Sequence, residues 1–298
     1  GKMHLISWFC MRFSMTTFFT PLRYPGGKGR MGPWLSELLR YNGISGGYYV
    51  EPYAGGAGAA LYLLMHGYVD HVIINDLDPV VYSFWWSVLN ENDKFISLIN
   101  ETEVTMDNWY KQKDVINNYT KYDILSIGFA TFFLNRTNRS GILSGGVIGG
   151  KEQSGKYKID ARYNKKKLCE RVKKIGGMKK FIDLYNLDAC ELIGSIKNTL
   201  PKKSLIYLDP PYYEKGSQLY RNHYKPHDHK LISEKVKDIS TPIIVTYDNC
   251  EEIRKLYKDE KIVEFSLHYS THLTRPRVTE LMVYKNLNIH SIPSMKKK

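Results

Sequence analysis

The chain lacks what several protein classes require. Its four cysteines (Cys10, Cys169, Cys190 and Cys250) are scattered with no CxxC pair, which argues against a disulfide scaffold or a cysteine-based zinc site. No apolar run approaches the ~20 residues that a membrane-spanning helix needs. The first 19 residues carry only a short apolar patch, with no long apolar core and no small-residue cleavage site, so they do not read as a signal peptide. There is no internal repeat and no long low-complexity linker. The dinucleotide fingerprint GxGxxG is also missing: Gly56 and Gly58 fit its first half, but Leu61 stands where the third glycine belongs. These absences leave a cytoplasmic α/β protein with free thiols.

What is present is positive charge. The 298 residues sum to +13, and the window 151–180 alone holds twelve Lys and Arg against three acids, a local excess of +9. A basic stripe of this kind is the footprint of a phosphate-backbone binder, although a solvated lysine-rich helix face is the plainer alternative for part of it, Lys165 to Lys167 included.

Strand and helix patterns alternate on both sides of that stripe. YYVEPY (48–53) and HVIIND (71–76) read as strands, each followed by a helical pattern, and FIDLYNLD (181–188), SLIYLD (204–209), TPIIVTYDN (241–249), KIVEFSLHY (261–269) and VTELMVYKN (278–286) continue the series. Such alternation implies a doubly wound parallel sheet. Residues 92–134 read as helical, and 136–164 are glycine-rich, polar and basic, too long for a plain connection. The expected division is therefore a discontinuous catalytic domain (17–90 and 176–290), a basic insertion (91–175), and flexible tails at 1–16 and 291–298.

Three stretches carry chemistry. In VEPYAGGAGAAL (50–61), a strand runs into a glycine cluster and a helix, so a ligand can approach the bare backbone of Gly55, Gly56 and Gly58 and the free N–H groups of the helix start; Glu51 and Pro52 sit at the strand end where open α/β sheets bind ligands. In IINDLDP (73–79), Asp76 follows Gly58 by 18 residues, a spacing suited to ribose hydroxyls, while Asp78 before Pro79 suits a helix cap; for Asp76 both cap and ligand roles stay open. In SLIYLDPPYYEKG (204–216), an apolar strand ends in Asp209, and the prolines after it fix the backbone. The Asp209 carboxylate and the Pro210 carbonyl form an acceptor pair suited to an amino group with two N–H donors. Tyr212 offers a face on which a base can stack, worth ~1–3 kcal/mol.

Asp209-Pro210-Pro211-Tyr212 resembles the DPPY motif of amino-group DNA methyltransferases. EPYAGGAG resembles their S-adenosylmethionine loop, with Gly-Gly-Ala-Gly in place of the commoner Gly-Ala-Gly spacing. RYPGGKGRM (23–31) is similar to the N-terminal motif of the Dam-type N6-adenine enzymes, and FFLNRTNRSGI through KYKIDARYNKKKL to their target-recognition segment. The resemblance runs in order from about residue 17 to 285. It implies a Rossmann-like methyltransferase sheet with a mostly helical, basic target-recognition insertion. It implies S-adenosylmethionine as donor, S-adenosylhomocysteine as product and no metal. The implied cofactor contacts are Tyr24, Gly26, Gly27, Lys28 (beside the methionine carboxylate), Glu51, Pro52, Tyr53, Gly55, Gly56, Gly58, Asp76 and Asp209. Asp188 resembles the acid that binds the cofactor adenine, with a helix cap as its equal alternative. Catalysis would fall to Asp209, Pro210 and Tyr212, acting on an adenine flipped from the duplex.

Arg136, Asn138, Arg139, Lys156, Tyr157 and Arg162 are the expected base or phosphate contacts. Double-stranded DNA is the implied partner, with room for a cognate restriction endonuclease, and the expected protein is a monomer or weak dimer near the nucleoid of a bacterial or phage-infected cell, away from membranes. Cytosine N4, an RNA base or a catalytically silent DNA-binding relative are the competing readings. HYKPHDHKL (223–231) invites a metal through its three histidines, but a helix start near Asp228 fits Pro226 better. TYDN (246–249) is expected to line the base pocket, and 268–281 to form a hairpin reaching DNA through Arg275 and Arg277.

Overall fold

The computed structural model describes residues 18–24, 28–214, 224–266 and 279–294. Gly26 and Gly27, Arg275 and Arg277, residues 1–16 and 295–298 of the expected tails, residue 17, and His223 lie outside the described residues.

Seven strands form one sheet in the order β3-β2-β1-β4-β5-β7-β6. They are β1 (Tyr48–Glu51), β2 (His71–Asn75), β3 (Ile182–Tyr185), β4 (Ser204–Leu208), β5 (Ile243–Asp248), β6 (Lys261–Ser266) and β7 (Thr279–Lys285). β1 to β5 pair in parallel, and the chain winds outward in opposite directions from β1 and β4. Open sheets of this kind bind ligands where the winding reverses, which here is the carboxyl end of β1 and β4. The last strand departs from the expected parallel pattern: β7 runs antiparallel to both β5 and β6. Side-chain alternation has the same period in either direction, so pattern alone does not report strand polarity.

The central strands are buried on both faces and read as continuous apolar runs. Tyr49, Leu205, Tyr207, Ile244 and Met282 enter one hydrophobic cluster, and Val50, Ile206, Leu208, Val245 and Leu281 enter the other. Because the period is two, the same count puts Glu51, Asp209, Thr246 and Glu280 on the first face.

That face carries α1 (Gly32–Tyr41), α2 (Gly58–Met65), α3 (Pro79–Asn90) and a run of helices: α4 (Asn92–Glu101), α5 (Met106–Asn117), α6 (Ile124–Thr137) and α7 (Lys165–Gly177). The other face carries α8 (Ala189–Ile196), α9 (Pro226–Asp238) and α10 (Glu251–Leu256). Thr105, Asp123 and Asn164 each cap the next helix by accepting a backbone N–H. Asp78 caps α3 in the same way through Val80 N–H. The helices α4 to α7 share the first hydrophobic cluster with the sheet, as Phe95, Trp109, Phe129 and Val172 show. Among the described residues, no helix is long and apolar enough to cross a membrane.

The α3–α6 crossing ties that helical run to the sheet. Phe84 and Phe132 stack with ring centroids 6.3 Å apart, and Phe95 meets both edge-on. Gly128 allows the approach: a β-carbon there would lie 2.5 Å from the Ser83 carbonyl oxygen and 2.5 Å from Ser87 Oγ. Alanine would gain ~1 kcal/mol of helix propensity, but overpacking a tight crossing costs ~1–3 kcal/mol, and at 2.5 Å from backbone the second effect wins. Gly128→Ala should therefore lower stability by about 1–2 kcal/mol in urea unfolding; unchanged or raised stability would contradict this packing.

Candidate active site

A cavity of about 1070 Å³ opens at the carboxyl ends of β1, β2 and β4. Its first wall is the glycine turn between β1 and α2. Gly55 adopts φ +49°, and a β-carbon there would sit 2.8 Å from the Tyr24 ring. Gly58 lies against Gly29, where a β-carbon would come within 2.9 Å of the Gly29 Cα. Two glycines in contact thus join the N-terminal motif to the turn. Ala57, between Gly56 and Gly58, takes the left-handed conformation before α2.

The turn is held from below. Asp76 Oδ2 accepts the Gly55 N–H at 2.9 Å, Asp76 Oδ1 accepts that of Asp78 at 2.9 Å, and Trp85 Nε1 donates to the Gly55 carbonyl at 2.8 Å. Burial, reinforced by the Asp78 charge, pushes Asp76 up to about 7 against the pull of these two N–H groups. Asn75, which sequence reasoning passed over, donates to the Pro52 and Leu187 carbonyls and accepts the Leu187 N–H, tying three strand ends together. Glu51 is buried, and its Oε1 accepts from Tyr49 OH at 2.7 Å and Ala60 N–H at 3.1 Å. Pro52, Gly56 and Tyr53 also line the cavity, and the Tyr53 hydroxyl meets that of Tyr224 at 2.6 Å.

The DPPY segment forms the opposite wall. Asp209 Oδ1 accepts the Thr246 hydroxyl at 2.7 Å and lies 3.6 Å from Lys28 Nζ. Among the described residues its Oδ2 has no hydrogen bond. Pro210 is buried, and Pro211 and Tyr212 face the cavity. Asp248 accepts the N–H groups of Tyr213 at 2.8 Å and Glu214 at 3.1 Å, clamping the backbone beyond the motif. The TYDN stretch thus reaches the site through Thr246 and Asp248.

Lys28 also lines the cavity, and its ammonium is buried against Glu280, with Nζ 3.1 Å from Oε2, and 3.3 Å from the Tyr212 hydroxyl. Burial disfavours its charge, yet Asp209 and Glu280 outweigh that and raise its pKa. Glu280 was not singled out in the sequence; the signal was a lone acid inside the apolar strand TELMVYK. Asp188 caps α8 through Cys190 N–H at 3.0 Å, and it is Ala189 that lines the cavity.

Four arginines, Arg23, Arg136, Arg162 and Arg171, line the far end. Arg136 donates to the Pro21 carbonyl at 2.7 Å and the Arg162 carbonyl at 3.2 Å; burial first, then its three arginine neighbours, depress it to about 9. Arg139, Lys156, Tyr157 and Arg162 are exposed, as a DNA contact requires. Asn138 is not. It is fully buried, accepts the Trp109 indole N–H at 2.7 Å and donates to the Ile142 and Leu143 carbonyls. It braces the loop that follows α6, so the expectation that it touches DNA is corrected. In the histidine-rich stretch, α9 starts at Pro226, with the Asp228 carboxylate accepting the Lys225 N–H; no metal cluster forms there among the described residues.

The D12 class N6 adenine-specific DNA methyltransferase family model matches residues 24–271, and the chain belongs to that family. Its activity is methyl transfer to adenine N6 in DNA, which selects adenine over cytosine N4. The chain is 27% identical over 210 residues to the Type II methyltransferase M.MjaIII of Methanocaldococcus jannaschii, covering 64% of this chain and 68% of that one. Among solved structures it is similar to the rRNA methyltransferase aviRa of Streptomyces viridochromogenes (TM-score 0.38, 13% identity, 88% of this chain and 85% of the other). It is also similar to a SAM-dependent methyltransferase of Agrobacterium tumefaciens (TM-score 0.39, 9% identity, 87% and 62%). Both scores are low, so the fold rests on the strand order itself.

Burial raises Glu51 from 4.5 to about 8, with Asp209 adding to the rise and the Tyr49 and Ala60 hydrogen bonds opposing it. The folded state thus holds this proton more tightly than the unfolded chain. The resulting stabilisation is complete below pH 4.5 and is lost as pH rises through about 8. Glu51→Gln keeps an acceptor oxygen and removes the charge. Without ligand, its Tm relative to wild type should be higher at alkaline than at acid pH; a pH-independent difference would refute the burial of this carboxylate.

Proposed function

We propose that the cavity binds S-adenosylmethionine along the glycine turn and receives an adenine, turned out of duplex DNA, against Asp209 and Tyr212. The observation that carries this reading is the state of Asp209. Asp209 lines the cavity; one of its oxygens is held by Thr246 beside Lys28, and the other has no partner among the described residues.

S-adenosylmethionine supplies an activated methyl group, so the chain needs no covalent nucleophile. Asp76 and Asp209 give the donor's cationic end an acidic wall, and Glu51, which holds its proton below about pH 8, adds only an acceptor oxygen. The bare backbone at Gly55, Gly56 and Gly58, with Pro52, Tyr53 and Tyr24, shapes its bed. Asp188 would receive the cofactor adenine amine through the oxygen left free by its cap. The residues fit this ligand without a metal.

The adenine amine is a weak nucleophile because its lone pair is delocalised into the ring. Asp209 Oδ2 and the Pro210 carbonyl would accept its two N–H bonds and turn the lone pair toward the methyl, while Tyr212 stacks on the ring. This is positioning with electrostatic preorganisation. Flipping costs a few kcal/mol, and stacking of ~1–3 kcal/mol offsets part of it. Residues 91–175 serve as the target-recognition part, with Arg139, Lys156, Tyr157 and Arg162 on its exposed side and Arg136 at its junction with the cavity.

Asp209→Ala should reduce methyl transfer to duplex DNA by about 100-fold or more, the scale for losing one preorganised contact, while calorimetric affinity for S-adenosylmethionine changes by less than about fivefold. Near-normal turnover would sink the assigned role. Arg139→Ala should weaken DNA binding and lower the slope of log affinity against log salt by about 1; an unchanged slope removes Arg139 from the interface.

A further inference from the structure

Glu280 lies in β7, a strand with no residue in the glycine turn or the DPPY segment. Its side chain is 1% exposed, points to the same sheet face as Asp209 and Thr246, and has two partners. Lys28 Nζ lies 3.2 Å from Oε1 and 3.1 Å from Oε2, and Oε1 also accepts the Tyr212 hydroxyl. The same ammonium is 3.6 Å from Asp209 Oδ1 and 5.3 Å from the centre of the Tyr212 ring. One buried cation therefore stands between two carboxylates, and one of those carboxylates also holds the stacking tyrosine.

An ion pair that merely fastened β7 to the N-terminal turn would need only Lys28 and Glu280. It would have no reason to include the hydroxyl of the motif tyrosine or to stand beside the motif aspartate. We propose that Glu280 is a positioning residue for methyl transfer. It draws the Lys28 charge to itself so that Asp209 stays a full acceptor, and it anchors the Tyr212 hydroxyl so that the ring keeps its angle. This rests on the roles given above to Asp209 and Tyr212.

The charge arithmetic gives a distinctive readout. With Glu280 ionised, the ammonium is shared and the trio carries a net charge of −1. With Glu280 neutral, Lys28 pairs with Asp209 alone and competes with the substrate amine for its oxygens. Burial, with Asp209 adding and Lys28 opposing, raises Glu280 to about 7. The groups facing it among the described residues are Lys28 before α1, Asp209 and Tyr212 after β4, and Tyr207 on β4; Asp248 on β5 and the uncharged Phe265 on β6 are its cross-strand partners in register. Since the pKa is raised, Glu280 gains its proton as pH falls through about 7, and turnover should fall with it.

The test is transfer of labelled methyl from S-adenosylmethionine to duplex DNA at saturating concentrations of both, across about pH 6 to 9. Glu280→Gln should lower kcat about 10–100-fold with both KM values within about threefold, and should flatten the acid limb. Glu280→Asp, which restores the charge, should bring the limb back without full kcat. A Gln variant with wild-type kcat and limb overturns the proposal. If the Gln variant does not fold, Tyr212→Phe decides, since it keeps the ring and removes only the anchored hydroxyl: full turnover there overturns the proposal, and a loss in kcat with DNA KM unchanged supports it. The two readings fail separately. An inactive Asp209→Ala beside a fully active Glu280→Gln sinks only the role of Glu280, whereas an active Asp209→Ala sinks the roles on which it rests.

Discussion

The buried ammonium of Lys28 constrains the site more than any other group. Taking a charge out of water costs several kcal/mol unless partners with good geometry surround it. Here those partners come from two segments far from Lys28 along the chain: Asp209 and Tyr212 follow β4, and Glu280 sits on β7. For all three to meet Lys28, β5 must hold β4 and β7 on either side of itself, which the sheet order provides. The turn carrying Lys28 must also lie close to the glycine turn, which the Gly29–Gly58 contact permits. Strand order, backbone contact and buried charge are therefore one requirement seen at three scales.

Much of this was legible in the sequence, and the reasons differ by residue. The central strands declare themselves because burial on both faces writes a continuous apolar run, as in SLIYL. Asp78 declares itself because Asp before Pro at a helix start has few other uses. Asp209 and the glycine turn show through their rare local chemistry. Asn138 misled because an asparagine in a glycine-rich, basic stretch looks solvated, and its partner Trp109 is 29 residues away along the chain. Glu280 was hidden for the opposite reason. Its neighbours in sequence suggest a surface hairpin, and only the pairing of β7 between β5 and β6 carries it inward. Pairwise contacts between distant segments leave little local trace, for Glu280 only a lone acid in an apolar strand, so polar residues that brace or tune the site are the ones a linear reading loses.

The cavity is also polarised. Glu51, Asp76 and Asp209 stand at the strand ends, and Arg23, Arg136, Arg162 and Arg171 at the far side. Burial first, and then repulsion from the three neighbouring guanidinium groups, depresses the pKa of Arg136. Such a cluster persists because carbonyls of the N-terminal segment hold it to the helical run: Arg136 is held by the Pro21 carbonyl and Arg171 by that of Thr20. In the proposed reading, a cationic donor and an anionic polymer are the two substrates, and the separation of charge sorts them before any specific contact forms. The donor's positive end is drawn to Asp76 and Asp209 and repelled by the arginines, and the phosphate backbone the reverse. At a few ångströms in a partly enclosed cavity such terms are far less screened than at an open surface. Orientation of both substrates thus follows from where the sheet ends and where the helices begin, and the DPPY segment lies where the two fields meet.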